Sequence, residues 1–76
     1  MTDTDCLRSI VGKQIKYYRE LLNMSQQDLG SLSGFRRSYI GSVERGERNI
    51  TIDNLERIAK GLGVPPHKLL TFPPKN

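Results

Sequence analysis

Apolar residues near the start of the chain recur at steps of three or four positions. The members of this series are Leu7, Val11, Ile15, Tyr18 and Leu22. Such spacing aligns side chains along one stripe of a helix and predicts an amphipathic α-helix with that stripe buried. Asn23 follows the series directly and is a residue type that often ends a helix. We therefore predict a first helix between Leu7 and Asn23.

The next segment carries the signals of a short helix with a defined start and end. The run Ser-Gln-Gln-Asp at 25–28 has the form of a capping box in which Asp replaces the usual Glu or Gln. The Ser25 hydroxyl can accept a hydrogen bond from an early backbone N–H, so a second helix begins there. This helix carries Leu29 and Leu32 inward and ends near Gly34, which tolerates the left-handed conformation of a tight turn.

A third helix is predicted from about Arg36 to Glu44. Ile40 and Val43 are spaced to lie on its inner face. Residues 45–49 break the apolar pattern and predict a loop.

Two further helices are predicted in the C-terminal half. Thr51 is a good N-cap for a fourth helix, and Gly63 is placed to end it. A fifth, short helix can begin with Pro66 at its first position and carries Leu69 and Leu70. The apolar stripe of the fourth helix consists of Ile52, Leu55, Ile58, Ala59 and Leu62.

No stretch sustains the alternation of apolar and polar residues that a half-buried strand requires. The predicted fold class is therefore all-α with five helices. A chain of 76 residues suffices for one domain. We expect that domain over 7–72, with a short polar arm at 1–6 and a tail at 73–76.

The charge balance favours a polyanionic partner. Twelve Lys and Arg residues against eight Asp and Glu give a net charge of +4, and each cation placed on a phosphate releases condensed counterions. Solubility alone would also account for such a charge. The distribution is more telling, because one short stretch holds Arg36, Arg37, Arg45 and Arg48.

Cys6 and His67 are single residues of their types. The chain therefore has no internal disulfide, and we expect no metal site and no cofactor. Neither an export signal nor a membrane-spanning apolar run is apparent, so we expect a cytoplasmic protein.

The segment 26–44 fits a helix-turn-helix. Two short helices that cross steeply need a small residue at the crossing, a glycine in the turn, an apolar plug after it, and two inward apolar residues one turn apart. The chain supplies them in order as Gly30, Gly34, Phe35, Ile40 and Val43. A generic helical bundle whose turns happen to hold glycines is the alternative.

Over roughly residues 10–70 the chain resembles the Cro/XRE-type helix-turn-helix regulators. The resemblance implies a five-helix, lambda-repressor-like DNA-binding domain. Departures from the family pattern are Gly30, where Ala is usual, the large Phe35, and Pro65, where Ser or Asp is common. They are expected to loosen helices two and five and to leave the DNA-reading surface intact. The motifs that carry the resemblance are Val11-Gly12, Ile15, Arg19, Ser25-Gln26, Leu29-Gly30, Ser38-Tyr39-Ile40, Glu44-Arg45-Gly46, Asn49-Ile50-Thr51 and residues 58–64.

In a helix-turn-helix the outward face of the motif's second helix, which is helix three of this chain, enters the major groove. The first residues of that helix lie nearest the base edges. Arg37 is the first choice for direct readout, because a guanidinium matches the O6 and N7 atoms of guanine. Arg36 can instead hold a phosphate, and Tyr39 can either contact DNA or lie over the helix surface. The candidates for base readout are Arg36, Arg37, Ser38, Tyr39 and Ser42.

Phosphate contacts are expected at the start of helix two, where backbone N–H groups and the helix dipole favour an anion, and in the loop after helix three. The resemblance implies that Arg48 and Asn49 contact the DNA backbone. It also implies a structural ion pair between Arg19 and Glu44. The phosphate candidates are Gln26, Gln27, Arg45, Arg48 and Asn49.

A monomer with a few base contacts would discriminate poorly, so a two-fold dimer on two half-sites is expected. The C-terminal part has more apolar residues than a short terminal helix needs for packing against the core. A small domain can, however, use all of its apolar residues in its core. The candidates for the dimer interface are Ile50, Val64, Leu69 and Phe72.

The predicted function is that of a transcriptional regulator that binds double-stranded DNA as a homodimer on a palindromic operator. The resemblance extends to controller proteins of restriction–modification systems, which can activate as well as repress. The alternative is an antitoxin or another protein-interaction module with the same fold. No catalytic residues and no small-molecule ligand are expected, because Glu44 lacks a second carboxylate or histidine to work with.

Overall fold

The computed structural model describes residues 6–71, and this part of the chain is entirely helical outside its turns. Four α-helices follow one another: α1 (Leu7–Leu21), α2 (Gln26–Ser33), α3 (Arg37–Glu44) and α4 (Ile52–Leu62). The predicted fifth helix is a single 3-10 helix, Pro66–Leu70, with proline in its first turn. The all-α prediction is confirmed. The predicted arm and tail fall largely outside the described residues.

The predicted helix boundaries rest on local chemistry that the structure contains. Asp28 N–H donates to the Ser25 hydroxyl and Ser25 N–H donates to the Asp28 carboxylate, both at 2.9 Å, so the capping box is complete. The Thr51 hydroxyl accepts from the backbone N–H of Asn54 at 3.1 Å. Asn23, with φ of 58°, and Gly34, with φ of 82°, adopt the left-handed conformation after α1 and α2.

The core lies where the four α-helices and the 3-10 helix meet. Ile15, Leu29, Ile40, Ile58 and Leu69 are fully buried, one from each of the five elements. A core in which every element takes part fits a domain of this size, since no element can bury its apolar face alone. No helix within the described residues is long and apolar enough to cross a membrane.

Four residues assigned to buried stripes are exposed instead. Leu7 and Ile52 are the first residues of their helices, and Leu22 lies just past the end of α1. Side chains at helix ends extend past the packed elements. Leu32 is 62 % exposed, because the buried face of α2 is centred on Leu29, Gly30 and Ser33.

Two glycines allow the backbones around α3 to approach closely. A Cβ atom at Gly30 would lie 2.5 Å from the carbonyl oxygen of Phe35, and one at Gly12 would lie 2.7 Å from that of Glu44. Gly12 therefore fits α1 against the end of α3, and Gly30 fits α2 against the start of α3. The predicted need for a small residue at position 30 is confirmed.

Candidate nucleic-acid interface

The helix-turn-helix is formed by α2 and α3, joined by the three residues Gly34, Phe35 and Arg36. The N–H groups of Gly34 and Phe35 both donate to the carbonyl of Gly30, each at 2.8 Å. Arg36 is the N-cap residue of α3 rather than its first helical residue, one position from the predicted start. The turn is therefore closed by backbone hydrogen bonds.

The front of α3 is open, as the central prediction requires. Arg36, Arg37 and Ser38 are consecutive and exposed. Their side chains make no hydrogen bond or ion pair with other residues in the range 6–71. This surface, which we call the α3 front, presents two guanidinium groups and one hydroxyl to an external partner.

Ser42 does not belong to the open surface, and its predicted placement is wrong. Its side chain is buried, with the hydroxyl donating to the Tyr39 carbonyl at 2.8 Å and accepting from Arg48 Nε at 3.2 Å. The cause is the loop after α3, which folds back so that the N–H of Glu47 donates to the Ser42 carbonyl at 3.0 Å. A loop packed over the last turn of α3 covers a face that helical periodicity alone leaves exposed.

Tyr39 lies along the protein surface, which was one of its two predicted arrangements. Its ring stacks on Phe35 with a centroid distance of 4.7 Å. Its hydroxyl accepts a hydrogen bond from Asn54 Nδ2 at 3.2 Å, and the guanidinium of Arg48 lies over the ring at 5.4 Å. Asn54 had no signal in the sequence, since a contact between α3 and α4 depends on how the helices pack.

Arg57 is a second residue that the sequence pattern does not single out. Its guanidinium lies 4.3 Å from the Phe35 ring centroid and donates to the carbonyls of Ser33 and Gly34, both at 3.2 Å. These carbonyls lie at the end of α2, where intrahelical partners run out. Arg57 therefore ties α4 to the turn of the helix-turn-helix.

The phosphate candidates differ in how far they are already engaged. Gln27 and Asn49 are exposed. Gln26 is half-buried and donates through Nε2 to Glu44 Oε1 at 3.1 Å. Arg45 pairs with the exposed Glu47 at 3.0 Å, and the hydrogen bond from Arg45 lowers the pKa of the Glu47 carboxyl. A phosphate at Arg45 would have to compete with that carboxylate.

A buried ion pair fixes α3 against α1. The Arg19 guanidinium donates to both oxygens of the Glu44 carboxylate, at 2.6 and 3.0 Å. It also donates to the carbonyl of Met24 at 2.8 Å. The hydrogen bonds to Glu44 raise the pKa of Arg19. The predicted ion pair is confirmed, and together with the amide of Gln26 it gives the Glu44 carboxylate three hydrogen bonds.

The dimer candidates divide into three groups. Leu69 is fully buried inside the domain, so its assignment to an interface is wrong: it fills the junction of α1, α4 and the 3-10 helix. Ile50 and Val64 are half-buried. Phe72 lies outside the described residues.

An apolar depression of about 460 Å³ lies beside Ile50. Val11 and Leu55 form part of its lining, and three strongly exposed apolar side chains surround it. We call this surface the Ile50 face. Its exposed apolar members are Leu7, Ile52 and Leu70, and the exposed residues Cys6, Arg8, Asn49 and Thr51 also line it.

Within residues 6–71, no three His, Cys, Asp or Glu residues cluster closely enough to hold a metal ion. Cys6 and His67 are both exposed.

Comparison with known proteins identifies the relatives of this chain. The helix-turn-helix family model matches residues 15–69. The control protein C.SmaI of Serratia marcescens is 45 % identical over 65 residues, which cover 86 % of this chain and 77 % of that protein.

Two solved structures share both sequence and fold with the chain. The restriction-modification controller protein C.AhdI from Aeromonas hydrophila is 37 % identical with a TM-score of 0.79, over 82 % of this chain and 94 % of that one. The controller protein C.Esp1396I, solved as a tetramer with its natural 35 base-pair operator, is 43 % identical with a TM-score of 0.77, over 83 % of each chain. On sequence and structure together, the chain belongs to the helix-turn-helix family and is related to the restriction-modification controller proteins within it.

Proposed function

We propose that this chain is a sequence-specific transcriptional regulator that binds double-stranded DNA as a homodimer on a palindromic operator and controls restriction–modification genes. The observation that carries the proposal is the α3 front. Arg36, Arg37 and Ser38 point away from the domain without partners among residues 6–71, on a helix held by a buried ion pair. An open cationic helix face on a fixed support suits the major groove.

Base readout is assigned to the α3 front. Arg37 is the first residue of α3, and it can donate two parallel hydrogen bonds to a guanine edge. Arg36 and Ser38 flank it and can contact either a neighbouring base or a phosphate. The two arginines add charge that attracts DNA irrespective of sequence.

Phosphate contacts are assigned to two places beside the α3 front. The first is the start of α2, where Gln26 and Gln27 occupy the first two helical positions and backbone N–H groups are available. The second is the loop after α3, with Arg45, Arg48 and Asn49 all exposed. Contacts of this kind fix the register of a protein on the duplex without reading sequence.

The homodimer is assigned to the Ile50 face. Ile52 is 83 % exposed, Leu7 57 % and Leu70 43 %, so the face presents several large apolar side chains to solvent. Large exposed apolar side chains grouped around one depression are typical of an interaction site. A second copy using the same face would form an isologous interface. The tetramer that the controller protein C.Esp1396I forms on its operator supports self-association on DNA.

The proposal includes no catalytic step and places the protein in the cytoplasm with the DNA it regulates. Glu44, a carboxylate at the end of α3, accepts from Arg19 and Gln26. That set of donors suits a structural role rather than proton transfer.

Selection of bound duplexes from a random pool tests the proposed function. We expect a two-fold symmetric sequence to be enriched and to bind at least about a thousandfold more tightly than a scrambled duplex at moderate salt. Enrichment of no sequence above the pool would reject sequence-specific regulation. It would favour the alternative, in which the Ile50 face binds a different protein.

A further inference from the structure

We propose that Tyr39 and Ser42 are positioning residues that hold Arg48 ready for a DNA phosphate. The inference rests on the proposed function and deepens it. It replaces the expectation that these two side chains read bases.

Arg48 is held by two separate contacts although it lies on an exposed loop. Its Nε donates to the Ser42 hydroxyl at 3.2 Å, and its guanidinium lies over the Tyr39 ring at 5.4 Å. Ser42 is only 8 % exposed, so its hydroxyl acts within the protein. A hydrogen bond and a ring face together fix both the position and the plane of the guanidinium.

The ring that supports Arg48 is itself held from the other side. Tyr39 stacks on Phe35 at 4.7 Å and accepts from Asn54 at 3.2 Å, while Arg57 covers the Phe35 ring at 4.3 Å. Two stacked rings therefore lie between two guanidinium groups, in the order Arg57, Phe35, Tyr39 and Arg48, from the turn of the helix-turn-helix to the loop after α3. Both terminal arginines are exposed, but Arg57 is engaged by the carbonyls of Ser33 and Gly34, whereas the Nη atoms of Arg48 are not engaged by other residues in the range 6–71.

The groups that hold Arg48 are neutral, which separates it from the neighbouring Arg45. Arg45 is paired with the Glu47 carboxylate, so a phosphate there would have to replace an anion. The Glu47 carboxylate also interacts with the charge of Arg48, but no hydrogen bond or ion pair joins them among residues 6–71, so a phosphate at Arg48 would not have to displace a bound carboxylate. Only one of the five donors of the guanidinium is engaged, through Nε, and the four donors on its Nη atoms suit a phosphate.

The arrangement also lowers the entropic cost of binding. A free arginine side chain populates many rotamers and loses them when it contacts DNA. A side chain already ordered by Ser42 and Tyr39 loses fewer. Removing either support should therefore weaken phosphate binding without changing base preference.

A double-mutant cycle tests this inference. Dissociation constants are measured by fluorescence anisotropy on two duplexes, one recovered by the selection and one of scrambled sequence. The variants are Ser42→Ala, Tyr39→Leu, Arg48→Ala, and the first two combined with Arg48→Ala. Thermal unfolding of each variant checks that the domain remains folded.

We expect Ser42→Ala and Tyr39→Leu each to weaken binding about three- to tenfold on both duplexes. In the Arg48→Ala background neither substitution should cost more than about twofold, because both act through Arg48. Arg48→Ala itself should lower the salt-dependence slope by about 0.9. Tyr39→Phe, the conservative variant, should recover most of the affinity lost in Tyr39→Leu.

Additive losses in the cycle would overturn the inference, and a loss confined to the selected duplex would overturn it and return Tyr39 to direct base readout. The order of the Arg48 Nε–H group, measured by ¹⁵N relaxation in the free protein, provides a test without DNA. It should be rigid in the wild type and mobile in Ser42→Ala, and a mobile group in the wild type would overturn the inference. If the wild type bound neither duplex, the proposed function would fail with it, whereas additive losses with intact binding would reject the positioning role alone.

Discussion

The Glu44 carboxylate at the end of α3 accepts two hydrogen bonds from the Arg19 guanidinium on α1, with N–O distances of 2.6 and 3.0 Å. The same carboxylate accepts from Gln26 at the start of α2 at 3.1 Å. One side chain therefore joins the three helices around the helix-turn-helix. Because both helices of the motif are tied to α1, the α3 front is presented in a fixed orientation.

Removal of Arg19 should destabilise the domain strongly. The side chains of Arg19 and Glu44 are 10 % and 4 % exposed, and breaking a buried pair leaves a carboxylate without its cation. We expect Arg19→Ala to lower the free energy of unfolding by about 3 kcal/mol or more in urea denaturation. Lys16→Ala, an exposed cation on the same helix, is the control and should change it by less than about 0.5 kcal/mol. Similar small effects for both would show that the pair does not hold α1 to α3.

Alanine at position 30 should lower the stability of this domain, although alanine is usual at that position in the Cro/XRE-type regulators that the chain resembles. A Cβ atom at Gly30 would lie 2.5 Å from the Phe35 carbonyl oxygen, and a backbone atom in a closed turn cannot move away cheaply. We expect Gly30→Ala to destabilise by about 1–3 kcal/mol, despite the better helix propensity of alanine.

Gly61→Ala is the matched control for that substitution. Its Cβ atom would approach the end of the Leu29 side chain at 3.3 Å, which can shift by a small rotation. We expect this variant to match or exceed the wild type in denaturant midpoint. If Gly30→Ala were as stable as Gly61→Ala, the backbone of the turn would be able to move away from the added Cβ atom at little cost in free energy.

Stability should depend on pH through the capping box of α2. The backbone N–H of Ser25 is the main cause that lowers the pKa of Asp28, with the Ser25 side chain second. A carboxyl whose pKa is lower in the folded state than in the unfolded state stabilises the fold fully above its unfolded pKa, which is near 4. That contribution to stability is lost as the pH falls through the folded-state pKa. We expect the unfolding midpoint of Asp28→Asn to vary less between about pH 5 and pH 2 than that of the wild type.

The conservative variant Asp28→Glu keeps a carboxylate at the usual capping-box position and should retain the wild-type pH dependence. If the unfolding midpoints of Asp28→Asn and the wild type varied equally with pH, the capping box would not contribute to the loss of stability in acid.

Self-association should be sensitive to charge on the Ile50 face. Ile52 is the most exposed large apolar residue of the described chain, at 83 %, so Ile52→Glu should fold normally and place a carboxylate in the proposed interface. We expect sedimentation equilibrium to give a dimer for the wild type and a dissociation constant raised by a factor of about ten or more for Ile52→Glu. Leu32→Glu, an exposed leucine on α2, is the control and should leave the dimer intact. Dissociation by Leu32→Glu rather than Ile52→Glu would move the interface to α2.

Features that depend on a few neighbouring residues were predictable from the sequence. The Ser25–Asp28 box, the end of the first helix at Asn23, the left-handed Gly34 and the small Gly30 each act within one turn or one crossing, so residue type and spacing were enough. The expected ion pair between Arg19 and Glu44 came from family resemblance rather than from spacing. The open α3 front followed from helical periodicity combined with the motif.

Features that depend on packing between distant segments were not predictable. Ser42 is buried because the loop after α3 folds back over it, and Tyr39 is held by Asn54 and by Arg48. Leu69 fills the core, although the apolar residues of the C-terminal part exceed what a short terminal helix needs. In each case helical periodicity identifies the apolar or polar face of one element. Whether that face is buried or exposed depends on how the neighbouring element packs against it.

Base readout by the α3 front is tested most directly by measuring how Arg37→Ala changes binding to a selected duplex and to its single base-pair substitutions. Arg37 is the first residue of α3 and is exposed, so we expect the variant to lose about 1–3 kcal/mol of binding free energy on the selected duplex and to lose its preference at one base pair in each half-site. Preference at the other positions should persist. An equal loss on every sequence, with all preferences retained, would contradict base readout by the α3 front.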